Sequence, residues 1–301
     1  VLAQEQKFCL TSNQGGSVRG SFSGKVALVA GAARSPGLGA SLARLLAQNG
    51  ARVICIDAVG TQPDESYDTG IATAKTLHEI ATEVSSLSGF IQDAEGIAVN
   101  PYDPIDWARA VETTIERVGG LDIGAAFMGT TGPHSGDGSL LNLSVPSWQR
   151  CLDVNLHAPF LFGQACAKEM VNKGAGGALC FLSSYSAVVG PAGFGAVAAA
   201  RAALQHLVEV FALELGPHSI RVNAVAPLSV QNDDPRFPNP GLAKFANADA
   251  SLSQWAHANL PLGRPQSPTE TAAVAAFLCS TTASFVSGVT VPVAGGVHAH
   301  S

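Results

Sequence analysis

Charge is scarce in this chain. Only 13% of its 301 residues are Asp, Glu, Lys or Arg, and their formal balance is -6. There is no basic run and no basic helix face, so no nucleic-acid partner is expected. Cys9, Cys55, Cys151, Cys166, Cys180 and Cys279 contain no CxxC pair. That excludes a zinc ribbon or a redox pair in sequence and points to buried, reduced thiols of a cytoplasmic protein. The eight histidines have no metal-ligand spacing, and no metal is expected. No apolar stretch is read as reaching the roughly 18–20 residues of a membrane span, so no membrane partner is expected either. The opening VLAQEQKFCLTSNQGGSVRGS lacks the charged start and apolar centre of a signal peptide. Residues 1–22 are read as a polar, flexible extension. Internal repeats are absent.

What is plentiful is apolar material, 47% of the residues, enough for one large core. It is arranged as short apolar runs alternating with longer Ala- and Leu-rich stretches. KVALVAG, ARVICID, GIAV, LDIGAAF, GGALCFLSS, IRVNAVAP and GVTVPVA read as buried parallel strands. Between them lie helices over about 37–49, 69–87, 104–117, 146–173, 194–215 and 270–279. Pro104 and Pro146 open two of these, and Gly50 closes the first. Composition does not shift within 23–301. The predicted fold is α/β: a Rossmann-like doubly wound parallel sheet, one three-layer α/β/α domain over 23–301. Residues from about 228 to 260, which begin rich in Pro, Asn and Asp, are read as a lid loop.

The first strand turns into the first helix through AGAARSPGLGA. Gly37 and Gly39 let the backbone approach a pyrophosphate, and the helix N-terminus offers N–H groups and a positive dipole end. Asp57 closes the second strand about 20 residues on, where an acid accepts a hydrogen bond from a ribose 2′-hydroxyl and repels a 2′-phosphate. Arg34 is the opposing signal, a cation able to pair with a 2′-phosphate. Asp57 outweighs it, and NAD(H) is expected rather than NADP(H).

Those features, with LSSYSAVVGPAGFGAVAAARAALQHLVEVFALELGPHSIRVNAVAP, DVNLHAPFLFGQA and LPLGRPQSPTETAAVAAFLCSTTASFVSGVTVPVAGG, resemble the short-chain dehydrogenase/reductase family from Gly24 to about Gly296. The long segment between Asp57 and Gly96 resembles the carveol-dehydrogenase-like, mycofactocin-associated branch. The resemblance implies cofactor contacts at Gly31, Arg34, Ser35, Gly37, Leu38, Asp57, Asn100, Arg201, Pro227 and Val230. It also shows departures. Two extra residues separate Gly31 from Gly37 and Gly39, as in the enoyl-reductase branch. Asn100 stands for an acid after the third strand and keeps an amide for adenine. Ala126-Phe127-Met128-Gly129 replaces N-N-A-G, and Pro227-Leu228 replaces Pro-Gly.

The catalytic positions depart furthest. The family's Tyr-x-x-x-Lys falls on Val197 and Arg201, and the wider enoyl-reductase spacing puts Phe194 at the Tyr position. Ser184 and Asn155 remain of the four-residue site. Val197 cannot donate, accept or titrate, and loss of a general acid costs about 10²–10⁴-fold in rate. Arg201 keeps a positive charge suited to a ribose hydroxyl but is a poor proton relay. Asn155 is placed to hold a water or a helix carbonyl. Tyr185 and His134 are the candidate substitute donors; a Tyr packed beside the pocket and a solvated loop His are the plainer readings of the same residues. Asp137, in the His134 loop, is expected to be solvated.

Three functions follow. The first is an oxidoreductase on a small apolar alcohol, ketone or enone with a non-standard proton donor. The second is a redox-neutral cyclase, lyase or isomerase. The third is a silent subunit pairing with an active paralogue. The family's dimers and tetramers form through the helices near 150–173 and 195–215, so a homo- or hetero-oligomer is expected, although burial inside the chain explains the same apolar pattern.

Overall fold

A computed structural model describes residues 22–58, 73–90, 95–132, 135–231 and 252–297. Seven parallel strands form one sheet: β1 (Val26–Ala30), β2 (Arg52–Ala58), β3 (Ile97–Val99), β4 (Ile123–Ala126), β5 (Gly177–Leu182), β6 (Ile220–Pro227) and β7 (Thr290–Val293). Their order is β3-β2-β1-β4-β5-β6-β7. The chain winds one way from β1 to β3 and then the other way from β4, so a crevice opens where β1 and β4 lie side by side. This is the doubly wound, single-domain sheet that the apolar runs predict.

Strand alternation builds a core on each face. Ala27 and Val29 point to one side, with Val53 and Cys55. There they meet Leu42 and Leu46 of α1 (Leu38–Gln48), Leu77 and Val84 of α2 (Ala74–Ser88), and Leu278 of the last helix. Val26, Leu28 and Ala30 point to the other side, with Ile54 and Ile56. That layer is α3 (Pro104–Val118), α5 (Ala158–Lys173) and α6 (Gly195–Leu215), supplying Trp107, Phe162 and Leu204. The period-two alternation of a strand, buried on both faces, gives the continuous apolar runs seen in sequence. Cys55, Cys151, Cys166, Cys180 and Cys279 are buried and free.

Local chemistry sets the helix ends. Asp103 caps α3, its side chain accepting from the Ile105 N–H at 2.8 Å, with Pro104 in the first turn. Ser144 caps α4 (Val145–Leu152), accepting from the Ser147 N–H at 3.2 Å. The helix expected over 146–173 is interrupted: α4 runs into a π-turn at Asp153–His157 before α5. Such a bulge is not encoded by a helix breaker; it depends on what its side chains bind.

Two expectations change. By length and composition, Gly195–His218 is long and apolar enough to cross a membrane. It lies instead along the sheet as the crossover between β5 and β6, with 33% of its most apolar window buried. The stretch read as a lid is not loop throughout, since Leu252–Asn259 forms α7, followed by α8 (Pro268–Cys279). Residues 232–251 of that stretch, residues 1–21 of the extension, and His134 lie outside the described residues.

Candidate functional site: the crevice at the carboxyl ends of β1, β4 and β5

β1 ends at Ala30 and the chain turns at Gly31, whose N–H donates to the Ile56 carbonyl at 3.0 Å. Gly31 has φ +81°, and a Cβ there would overlap the Phe127 carbonyl. A Cβ on Gly39 would overlap the Gly31 carbonyl. Glycine is therefore required at both positions for loop and helix to pack this closely. Gly37 is the N-cap of α1 and offers no side chain to the first-turn N–H groups. The last four residues before α1 are Arg34, Ser35, Pro36 and Gly37, with a cis bond between Ser35 and Pro36.

Asp57 faces this loop from the end of β2. Its Oδ2 accepts the Ala33 N–H and its Oδ1 the Ala58 N–H, each at 2.8 Å. Burial raises the carboxyl pKa; the two N–H groups and the Arg34 charge pull it back. Burial likewise lowers the Arg34 pKa, opposed by Asp57. The two residues read as opposing cofactor signals are thus electrostatic partners. Ser35 accepts a 2.9 Å bond from Arg44, which also grips Glu83 of α2. Asn100 is exposed after β3, its Oδ1 accepting the Tyr102 N–H at 3.1 Å. Pro227 ends β6, and Val230 pairs with Gln266.

Polar groups close on each other at the ends of β4 and β5. Arg201 of α6 is 4% exposed. One terminal nitrogen donates to the Leu182 carbonyl, the other to the Met128 carbonyl at 3.0 Å. Its guanidinium, which has five N–H donors, thereby ties the two strand ends together. Burial brings its pKa down to about 10. A Cβ at Gly129 would displace Arg201 Nη2 from its place beside the Met128 carbonyl. Asn155, in the π-turn, is fully buried. Its Nδ2 donates to the carbonyls of Thr130 and Cys151 at 3.0 Å each, and its Oδ1 accepts the Thr130 N–H at 3.2 Å. The side chain replaces helical main-chain bonds and pins the loop after β4.

Val197 is 3% exposed and belongs to an apolar cluster with Cys151, Phe194 and Ala196, against Leu143 and Trp148. The loop after β4 is fastened over this cluster by the Gly138 N–H, which donates to the Gly193 carbonyl at 2.8 Å. Burial raises the Cys151 thiol to about 11, so it stays protonated near neutrality. Asp137, expected in solvent, is buried in that loop. Ser184 starts the short turn Tyr185–Ala187, and its Oγ accepts both the Ser186 N–H at 3.2 Å and the Ser186 O–H at 2.9 Å. Its own hydroxyl proton remains to donate. Tyr185 is buried, in a turn that packs on α6.

Sequence reasoning missed three residues here. Arg44 and Glu83 carry ordinary helix-surface signatures. Gln266 donates to the Leu228 and Val293 carbonyls at 2.7 and 2.6 Å and accepts from Thr271, holding the ends of β6 and β7 beside Val230. A polar residue before an Ser-Pro helix start carries no mark of that role.

The family described as "Enoyl-(Acyl carrier protein) reductase" matches residues 31–298. The chain is 29% identical over 285 residues to "Dehydrogenase/reductase SDR family member 4" of Homo sapiens, covering 95% of this chain and 91% of that one. It is 32% identical over 274 residues to "Trans-4-hydroxycyclohexanecarboxylate dehydrogenase" of Sinomonas cyclohexanicum, covering 90% and 92%. Among solved structures, carveol dehydrogenase from Mycobacterium avium in complex with NAD superposes with a TM-score of 0.81 at 29% identity, over 93% of this chain and 99% of that one. Fold, length and sequence agree, and the chain belongs to the short-chain dehydrogenase/reductase family of oxidoreductases.

Proposed function

We propose that this chain binds NAD(H) in the β1/β4 crevice and acts as an oxidoreductase on a small apolar alcohol, ketone or enone, with a proton donor other than residue 197. The observation that carries the reading is the cradle at α1. Its first-turn N–H groups have no side-chain cap, glycine keeps the loop close to them, and Asp57 stands fixed beside the loop. That set suits a pyrophosphate over the helix end and a ribose diol against the carboxylate, which disfavours a 2′-phosphate. The NAD in the carveol dehydrogenase structure supports the same assignment. Bound there, the cofactor supplies or takes the hydride.

The chain's own residues supply orientation. Ser184, with both acceptor sites engaged by Ser186, is left as a donor to a substrate oxygen. Tyr185 and His134 remain the candidate proton donors. Leu140, Leu141, Val188 and Val189, all exposed on the loops after β4 and β5, favour an apolar substrate. The test is titration with NADH and NADPH followed by turnover with cyclohexanol- and cyclohexanone-type substrates. NADH bound more tightly, with turnover reduced by Tyr185→Phe or His134→Ala, is the expected result. NADPH preference overturns the cofactor assignment. Turnover unaffected by either substitution overturns the donor assignment.

A second reading is favoured by the packing around Val197: a silent subunit that holds NAD(H) and associates with an active one. Leu152, Leu156 and Phe160 line an open groove with Leu207, about 580 Å³ in volume. Beside it α6 leaves Val210 and Leu213 exposed. This face suits a second copy of the chain, as the pairing of like helices requires. Sedimentation and turnover of the purified chain, alone and mixed with an active paralogue, test it: turnover only in the mixed oligomer is the expected result, and turnover by the chain alone overturns the silent subunit.

A further inference from the structure

The glycine loop is braced from outside by an ion pair that belongs to neither the loop nor the crevice. Arg44 lies on α1, two turns in from Gly37. Its Nε donates to Glu83 Oε1 at 2.8 Å and its Nη2 to Glu83 Oε2 at 2.7 Å, a bidentate pair that ties α1 to α2. The same Nη2 also donates to Ser35 Oγ at 2.9 Å. Arg44 has 22% of its side chain exposed and Glu83 49%, so the pair is open to water at its carboxylate end while the bond to Ser35 is partly buried. Glu83 holds the guanidinium plane; the guanidinium holds the serine hydroxyl.

We propose that Arg44, oriented by Glu83, is a positioning residue for dinucleotide binding that acts through Ser35. The inference rests on the NAD(H) reading above. A hydroxyl that accepts a charge-assisted bond on its oxygen has its proton turned away from the donor and made a better donor itself. Ser35 precedes the N-cap of α1 by two residues, beside first-turn N–H groups that have no side-chain cap and suit an anion. Arg44 thus fixes one end of a short relay, Arg44 to Ser35 to phosphate, without touching the phosphate. The pair also restrains, at Ser35, the loop carrying the two additional residues between Gly31 and Gly37, which Asp57 holds at Ala33.

Fluorescence titration with NADH, with thermal melting of every variant alongside, tests this. Ser35→Ala and Arg44→Gln are each expected to weaken NADH by about tenfold, the size of one charge-assisted bond. Arg44→Lys, which keeps the charge but loses the bidentate fork, is expected to recover part of the affinity, and Glu83→Gln to lose about threefold. The deciding measurement is the Arg44→Gln substitution made in the Ser35→Ala background. No further weakening there is the expected result. A full additional tenfold loss, or no loss from Arg44→Gln in the wild-type background, overturns the relay while leaving NAD(H) binding intact. Affinity losses that merely follow the unfolded fraction overturn it as well. A wild-type chain that does not bind NADH sinks the cofactor reading and this inference together.

Discussion

The two ends of the crevice are built on opposite plans. At the nucleotide end, Gly31, Arg34, Ser35, Gly37, Leu38 and Asp57 all keep part of their surface open, and the helix end lacks a side-chain cap. At the catalytic end, Asn155, Tyr185, Val197 and Arg201 are all buried, and Asn155 and Arg201 spend their hydrogen bonds on main-chain groups. The first end leaves the α1 N–H groups without a side-chain cap; at the second end Asn155 and Arg201 are engaged by main chain, and Ser184 keeps a proton to donate. The same strand-end crevice thus combines a half with open surface and an uncapped helix end and a half whose polar side chains brace the main chain.

The sharpest way to break this comparison is Arg201→Ala. If Arg201 is a clamp, its removal leaves the Met128 and Leu182 carbonyls without their donor and opens a cavity. The expected loss is about 3–4 kcal/mol in urea unfolding. A variant as stable as the parent that binds NADH poorly would instead make Arg201 a ribose ligand. The next largest effect is expected from Val197→Tyr. The added ring has to enter the cluster of Phe194, Trp148 and Cys151. Overpacking costs about 1–3 kcal/mol. Activity is not expected to rise, because Arg201 remains turned to the strand ends; brisk ketone reduction by this single variant would show that the catalytic end still opens to substrate.

The nucleotide end is tested by Asp57→Ala, which removes the carboxylate together with its bonds to the Ala33 and Ala58 N–H groups. NADH affinity is expected to fall about tenfold, one lost bond to a charged acceptor, and NADPH to gain relative to NADH. Equal losses for both cofactors would show that Asp57 only props the loop through Ala33. The smallest effect is remote from both ends. Glu270 of α8 is held at about pKa 2 by Arg264, with the Ser267 N–H contributing. A carboxylate depressed on folding stabilises above its unfolded value near 4.5 and loses that contribution as pH falls toward 2. Glu270→Gln is therefore expected to lower the melting temperature by roughly a degree or two at pH 7, the pair being exposed. The difference from the parent is expected to narrow steadily as pH falls from 4.5 to 2, and a difference undiminished at pH 2 would assign the effect to the helix cap.

Much of the fold was legible because burial on both faces writes itself into composition. VALVA, RVICIDA and IRVNAVAP have no other use for so many apolar side chains in a row. Pro104 marked the start of α3 for a local reason, its fixed φ and missing N–H suiting the first turn. The nucleotide loop was legible because close approach of main chains demands glycine, which is visible in any sequence. The catalytic end was legible only as a departure from a family pattern: Val197 and Arg201 could be named, but not what they touch. The π-turn at Asp153–His157 had no signal: the Asn155 side chain within it bonds to Thr130, 25 residues away. Gln266, Arg44 and Glu83 were invisible for the same reason.

The amino-acid order by itself determined the alternation of strands and helices, the single core, and the glycine loop at the first strand's end, because each follows from propensity and burial among near neighbours. Only the tertiary structure decided that Arg201 faces the ends of β4 and β5, that Val197 sits among Phe194 and Trp148, and that Arg34 and Asp57 are partners. Those are choices among side chains far apart in the chain, and their energies exist only once the sheet has brought them within a few ångströms.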